Sequence, residues 1–198
     1  MKYPQIILLN GACSSGKTTL SNELRKIAPL PYFYYSSDQL VDASVLPNVN
    51  RKTNNTDWSW NIIRPKFFSG FHYSIAAFAK ANNFMIVEHI VEYKEWLNDL
   101  VNILSPFKVF YVGVFCPIEE IERREIKRGN RQIGEGRSHL EDGIHTWSDY
   151  DLIVDTYKQT PEENANIIFQ TIKKKKDELT IFDILFDKIQ INQEKIAP

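Results

Sequence analysis

Gly11-Ala12-Cys13-Ser14-Ser15-Gly16-Lys17-Thr18, followed by Thr19, fits the pattern G-x-x-x-x-G-K-[ST]. A loop of this kind cradles the phosphates of a nucleoside triphosphate. Its glycines let the backbone curl until successive N–H groups point at one anion. Lys17 is a mobile point charge within reach of the β- and γ-phosphates. Thr18 offers a hydroxyl to Mg²⁺, a hard cation that prefers oxygen ligands. A helix starting here adds its positive dipole end to the same site. Gly11 to Thr19 is therefore the expected nucleotide site, with ATP and Mg²⁺ as its expected ligands.

The flanks supply the context such a loop needs. Gln5-Ile6-Ile7-Leu8-Leu9-Asn10 is a short apolar run of buried-strand type. Leu20, Leu24 and Ile27 recur at helical spacing after the loop, and Pro29 and Pro31 then stop the helix. Strand, glycine loop and helix follow one another in the required order.

At 198 residues the chain is long enough for one domain with a substantial core. Its apolar fraction of 43% and charged fraction of 25% are ordinary for a globular protein. A net charge of −1 creates no general attraction to nucleic acid or to an anionic membrane. The apolar runs are strand length, far short of a membrane span. A strand begins almost at once with no signal peptide before it, and only Cys13 and Cys116 are present. The cytoplasm is the expected compartment. Cys13 reads as a small filler in the loop whose backbone is what counts.

Apolar runs alternate with helical patterns, which predicts an α/β fold around a five-stranded parallel sheet. The expected strands are 5–10, Tyr32 to Ser36, Phe84 to Glu88, Lys108 to Cys116 and Tyr150 to Asp155. Between the second and third lies a polar, Asn-rich stretch, Leu46 to Asn61, carrying Trp58 and Trp60 as candidate acceptor-covering aromatics. Pro65 suits the first turn of a long helix whose apolar face is Phe67, Phe68, Phe71, Ile75 and Phe78. Thr160-Pro161-Glu162-Glu163 is a capping box with proline at the first helical position. Residues 1–178 are expected to form the main domain, and 179–198 a tail or short helix packed on it. The oligomeric state is left as monomer or homodimer.

Ligands of open α/β sheets gather beyond the carboxyl ends of the strands. The second strand ends at Ser36-Ser37-Asp38 and the third at Glu88-His89. Asp38 can cap the helix that follows it, or take a proton from an acceptor hydroxyl. Glu88 can hold the water shell of Mg²⁺ or serve as the base, and a carboxylate ending a buried strand needs a partner. His89 reads first as a structural histidine. Arg124, Arg128 and Arg131 lead into a glycine- and arginine-rich segment, 129–137, that suits a lid. Arginines closing over a phosphoryl group exclude water and stabilise its charge.

These residues resemble the chloramphenicol phosphotransferase-like family of phosphate-loop kinases. The likeness is carried by Ile6 to Thr19, Ser36-Ser37-Asp38-Gln39-Leu40, and Val112-Gly113-Val114-Phe115-Cys116 continuing to Arg128-Gly129-Asn130-Arg131. Tyr150-Asp151 and Val154-Asp155-Thr156 complete it. The resemblance implies a three-layer α/β/α P-loop NTPase fold of nucleotide/shikimate-kinase type. It also implies ATP-dependent phosphorylation of a hydroxyl on a small molecule, with Asp38 as general base and the arginines from Arg124 onward as the lid. Two departures are visible: the third strand ends in Glu88-His89 where the family pattern has paired aspartates, and 46–72 shows no match. Phosphotransfer therefore carries over better than the antibiotic does. Phosphorylation of nucleotide sugars, as in the zeta-toxin group, and a non-catalytic ATP-binding switch stay open.

Overall fold

β1 (Ile6–Asn10) is buried along its whole length, as the central strand of a covered parallel sheet must be. The computed structural model describes residues 3–47, 59–129, 133–147 and 149–196, with the side chains of 194–196 left aside. Trp58, Asn130 and Arg131 lie outside the described residues. After β1 come α1 (Lys17–Ile27), β2 (Tyr32–Ser36), α2 (Ser37–Asp42), α3 (Trp60–Lys80), β3 (Phe84–His89) and α4 (Lys94–Leu104). The chain continues through β4 (Val109–Phe115), α5 (Ile118–Arg128), α6 (Glu135–Glu141), β5 (Leu152–Asp155), α7 (Pro161–Lys174) and α8 (Ile181–Ile196).

The five strands form one parallel sheet in the order β2-β3-β1-β4-β5. Alternation along the strands sends side chains to two faces. Ile6, Leu8, Met85, Val87 and Tyr111 face a core shared with Phe71 and Ile75 of α3, Leu100 of α4 and Phe182 of α8. Ile7, Leu9, Ile86, Val112 and Val114 face Leu20 and Leu24 of α1 and Ile168 and Phe169 of α7. This is the expected three-layer α/β/α arrangement, and the five strands appear where the apolar runs placed them, to within two residues.

Two local expectations are corrected. α3 starts at Trp60, so Pro65 lies inside the helix and not in its first turn. Proline has no N–H to give the carbonyl four residues back, which helix interiors ordinarily exclude. Asp38 is not the N-cap of α2. Ser36 is, with Gln39 completing a capping box: Gln39 N donates to Ser36 Oγ at 3.3 Å, and Ser36 N donates to Gln39 Oε1 at 2.9 Å. In the glycine- and arginine-rich segment, Gly134 caps α6 and Arg137 lies within it. The capping box at Thr160 and Glu163 is formed as expected.

The register places the chemistry at one end of the sheet. Glu88 stands level with Leu9 and with Ser36, and His89 level with Asn10. β1 is flanked by β3 and β4; β1 runs into α1 on one face and β3 into α4 on the other. A crevice opens beyond the carboxyl ends, where such a switch point leaves room.

Candidate active site

The phosphate loop runs from the end of β1 into α1. Gly16 has φ +98° and Ser14 φ +59°, both left-handed. Glycine takes that conformation without strain, whereas Ser14 holds it at a cost of about 1–3 kcal/mol. Backbone strain at a side chain's own expense collects where a ligand is held. α1 has no side-chain cap, so its first N–H groups are available to an anion.

A cleft of about 550 Å³ opens over this loop, lined by Gly16, Lys17, Thr18, Asp38, Glu88 and Arg128 among others. Cys13, Ser14, Thr19 and Arg124 also border it. The cleft thus brings together Lys17, Thr18, Asp38, Glu88, Arg124 and Arg128 of the residues proposed for chemistry, while Gly11, Ala12 and Ser15 of the loop do not line it. Lys17 is folded back: Nζ donates to Gly11 O at 2.7 Å and to Ala12 O at 2.8 Å. Thr18 Oγ1 donates to Glu88 Oε2 at 3.0 Å, while the buried Glu88 Oε1 has no hydrogen-bond partner among the described residues. Ionised carboxylate oxygens buried without a donor are costly, so this one suits a cation's water shell. Tyr34 stands beside the pair, and burial raises its hydroxyl's pKa, with Glu88 adding to the effect. Asp38 sits on the first turn of α2, exposed on the cleft wall.

Arg124 is engaged. Nη2 donates to Thr156 O at 2.9 Å, Nη1 to Ser15 O and Thr156 Oγ1, each at 3.2 Å, and Nε to Glu120 Oε1 at 2.7 Å. Thr156 Oγ1 itself donates to Ser15 O at 2.6 Å. Arg124 and Thr156 brace the loop's carbonyls against the end of β5. Glu120 accepts from both Arg123 and Arg124, and those two guanidinium groups hold its carboxyl at a pKa of about 2.

Sequence reasoning missed several groups around the cleft. Thr156 follows β5 directly, and the rule applied to the other strand ends would have found it. Asn10 is wholly buried and bonds Val91 N, Ile144 O and Tyr150 Oη. His139 carried no signal, because its partner Cys13 comes from a distant segment, and Glu125 reads as one more charge on a helix until Gly134 N and Gly136 N are seen to donate to it. His89 is stacked on Trp96 and Phe68, and its Nε2 meets His72 Nε2 at 2.9 Å. Burial holds His89 well below the ordinary histidine range and His72 at about 4, so both are neutral near pH 7.

Comparison with known proteins agrees with this geometry. The family described as chloramphenicol phosphotransferase-like protein matches residues 4–173. Two Mycobacterium tuberculosis proteins, from strains CDC 1551 and H37Rv, each named "Putative O-phosphotransferase", are 27% identical to this chain over 188 residues. The alignment covers 86% of this chain and 83% of theirs. Among solved structures, the APS kinase CysC of M. tuberculosis in complex with AMPPNP and APS aligns with a TM-score of 0.63 at 14% identity, covering 86% of this chain and 98% of that one. Shikimate kinase from Acinetobacter baumannii in complex with shikimate aligns at 0.61 and 16%, covering 89% and 96%. These two likenesses show the P-loop kinase fold. Family and relatives together support a kinase-type phosphotransferase. The match across residues 4–173 shows that this chain belongs to the chloramphenicol phosphotransferase-like family.

Proposed function

We propose that this protein transfers the γ-phosphoryl group of ATP to a hydroxyl of a small molecule. One observation carries the reading: the phosphate loop, the Thr18–Glu88 pair, Asp38 and Arg128 converge on a single cleft. ATP phosphates lie on Gly11 to Thr19, with Lys17 released from its own loop carbonyls to reach them. Thr18 and Glu88 are the groups that would hold Mg²⁺, directly and through its waters. When bound, the ion neutralises charge on the phosphates.

Asp38 accepts the proton of the acceptor hydroxyl. The acceptor oxygen forms a bond to the γ-phosphorus as the bond to the β,γ-bridging oxygen breaks, and ADP leaves. Arg124 braces the loop and Arg128 faces the transferring group, with Arg131 assigned to the same lid. Neither Cys13 nor Cys116 is in a disulfide, which suits a reducing cytoplasm. Among the described residues no helix is long and apolar enough to cross a membrane.

The test is Mg²⁺-dependent ADP release with a panel of hydroxyl acceptors: chloramphenicol, other antibiotics, nucleosides and nucleotide sugars. Stimulation by one class establishes the kinase and its acceptor. Tight ATP binding without stimulation by any member overturns the reading in favour of a nucleotide-binding switch.

A further inference from the structure

The Ala12–Cys13 peptide of the phosphate loop is gripped at both polar ends. Ala12 O accepts Lys17 Nζ at 2.8 Å, and Cys13 N donates to His139 Nδ1 at 3.3 Å. His139 lies in α6 and is buried. Gly136, one turn earlier, rests against the same residue: a Cβ there would stand 2.9 Å from Cys13 O and 2.4 Å from Ile121 Cγ2. α6 therefore meets Cys13 at its N–H and its carbonyl. The helix is fastened in turn by Glu125, whose wholly buried carboxylate accepts from Gly134 N and Gly136 N at 2.8 Å each.

The accepting Nδ1 fixes the tautomer, so the proton is on Nε2. That nitrogen faces Glu92 Oε1 at 3.8 Å. The other oxygen of Glu92 pairs with Arg64 of α3. Arg64 also donates to Tyr93 Oη at 2.9 Å and lies over the ring of Trp96 at 5.1 Å. Arg64, Glu92, His139 and Cys13 stand in succession between α3 and the phosphate loop, the Glu92–His139 step at 3.8 Å being longer than a hydrogen bond.

We propose that His139 is a positioning residue that holds the Ala12–Cys13 peptide in place when Lys17 lets go of it to reach phosphate. The proposal rests on the phosphotransfer reading above. Lys17 cannot hold Ala12 O and a γ-phosphate with the same geometry, so nucleotide binding removes one of the two grips. The imidazole then maintains the loop's shape, with the Glu92 carboxylate 3.8 Å from its other nitrogen.

An imidazole protonated on both nitrogens cannot accept from Cys13 N. Glu92, Glu135 and Asp142 around the ring favour the proton, Lys17 opposes it, and burial outweighs them to keep the pKa below the ordinary value. The contact is thus present above the ordinary histidine pKa and is lost as pH falls through the lowered one.

The first experiment is a ¹⁵N NMR titration of the full-length protein. His139 is expected to show the Nε2–H tautomer, and its ring and the Cys13 amide to titrate together below pH 6.5. Glu92→Gln should move that midpoint down, since a carboxylate is lost. Arg64→Met should move it up, since Glu92 loses its competing partner. In ADP release, His139→Asn places an oxygen where Nδ1 stands and should retain turnover while losing the acid limb of the pH profile. His139→Phe keeps the ring but no acceptor, and should raise KM for ATP about tenfold by loosening the loop. A Cys13 amide that ignores the His139 titration overturns the proposal, as do Asn and Phe variants with the same pH profile. If the wild type binds ATP but phosphorylates nothing, the phosphotransfer reading fails, and the NMR arm still decides the role of His139.

Discussion

The Thr18 hydroxyl donates a hydrogen bond to Glu88, Oγ1 to Oε2 at 3.0 Å, from the first residues of α1 to the end of β3. The pair makes the loop's metal-facing hydroxyl and a strand-end carboxylate one unit, although 70 residues separate them.

Glu88→Gln keeps the shape of that unit and removes its charge. The Mg²⁺ concentration for half-maximal ADP release should rise about 10- to 100-fold, the usual scale for an outer-shell partner. An unchanged Mg²⁺ requirement would remove Glu88 from the metal site.

Lys17→Ala should abolish turnover while shifting Tm only slightly. Two hydrogen bonds to Gly11 O and Ala12 O are lost, together worth roughly 3–6 kcal/mol for a charged donor and offset by the several kcal/mol regained when a buried ammonium is removed. Thermal melting beside an ADP-release assay separates the two effects.

Asp38→Asn should keep ATP affinity, measured by calorimetry, and slow transfer about 10²- to 10⁴-fold, the range for a general base. Full activity in this variant would sink the base assignment.

Thr156→Val removes the hydroxyl that donates to Ser15 O at 2.6 Å and accepts from Arg124. Loss of stability should be about 1 kcal/mol, with weaker ATP binding because the loop loses a brace. Urea melts and nucleotide titration report the two, and an ATP affinity equal to wild type would make the brace purely structural.

Acid should destabilise the fold through its buried histidines. Burial lowers His72 from 6.5 to about 4, so as pH falls the unfolded chain binds the proton first. Stability is full above pH 6.5 and declines toward pH 4, by up to about 3 kcal/mol from this group. Urea unfolding across that window should be flatter for His72→Phe than for wild type. Parallel curves would mean that His72 titrates alike in both states.

The sequence by itself determined the five strands, the phosphate loop and the end of the sheet where chemistry collects. All three rest on local pattern: apolar runs of strand length, glycines where the chain must turn left-handed, and polar residues directly after strands. Asp38 and Glu88 were legible because strand order α/β rules place such residues at one edge. Tertiary structure alone decided what those residues touch. Ser36 took the cap of α2 that Asp38 also suited, since a capping box satisfies two backbone donors and a lone aspartate one. Arg124 became a brace for Ser15 and Thr156, because α5 packs where its guanidinium meets their oxygens. His139 and Glu92 reached the loop only once α6 and the β3–α4 connection had been brought beside it. Contacts between segments more than 100 residues apart leave no periodicity to read, because they are set by packing of whole elements and not by the spacing of neighbours.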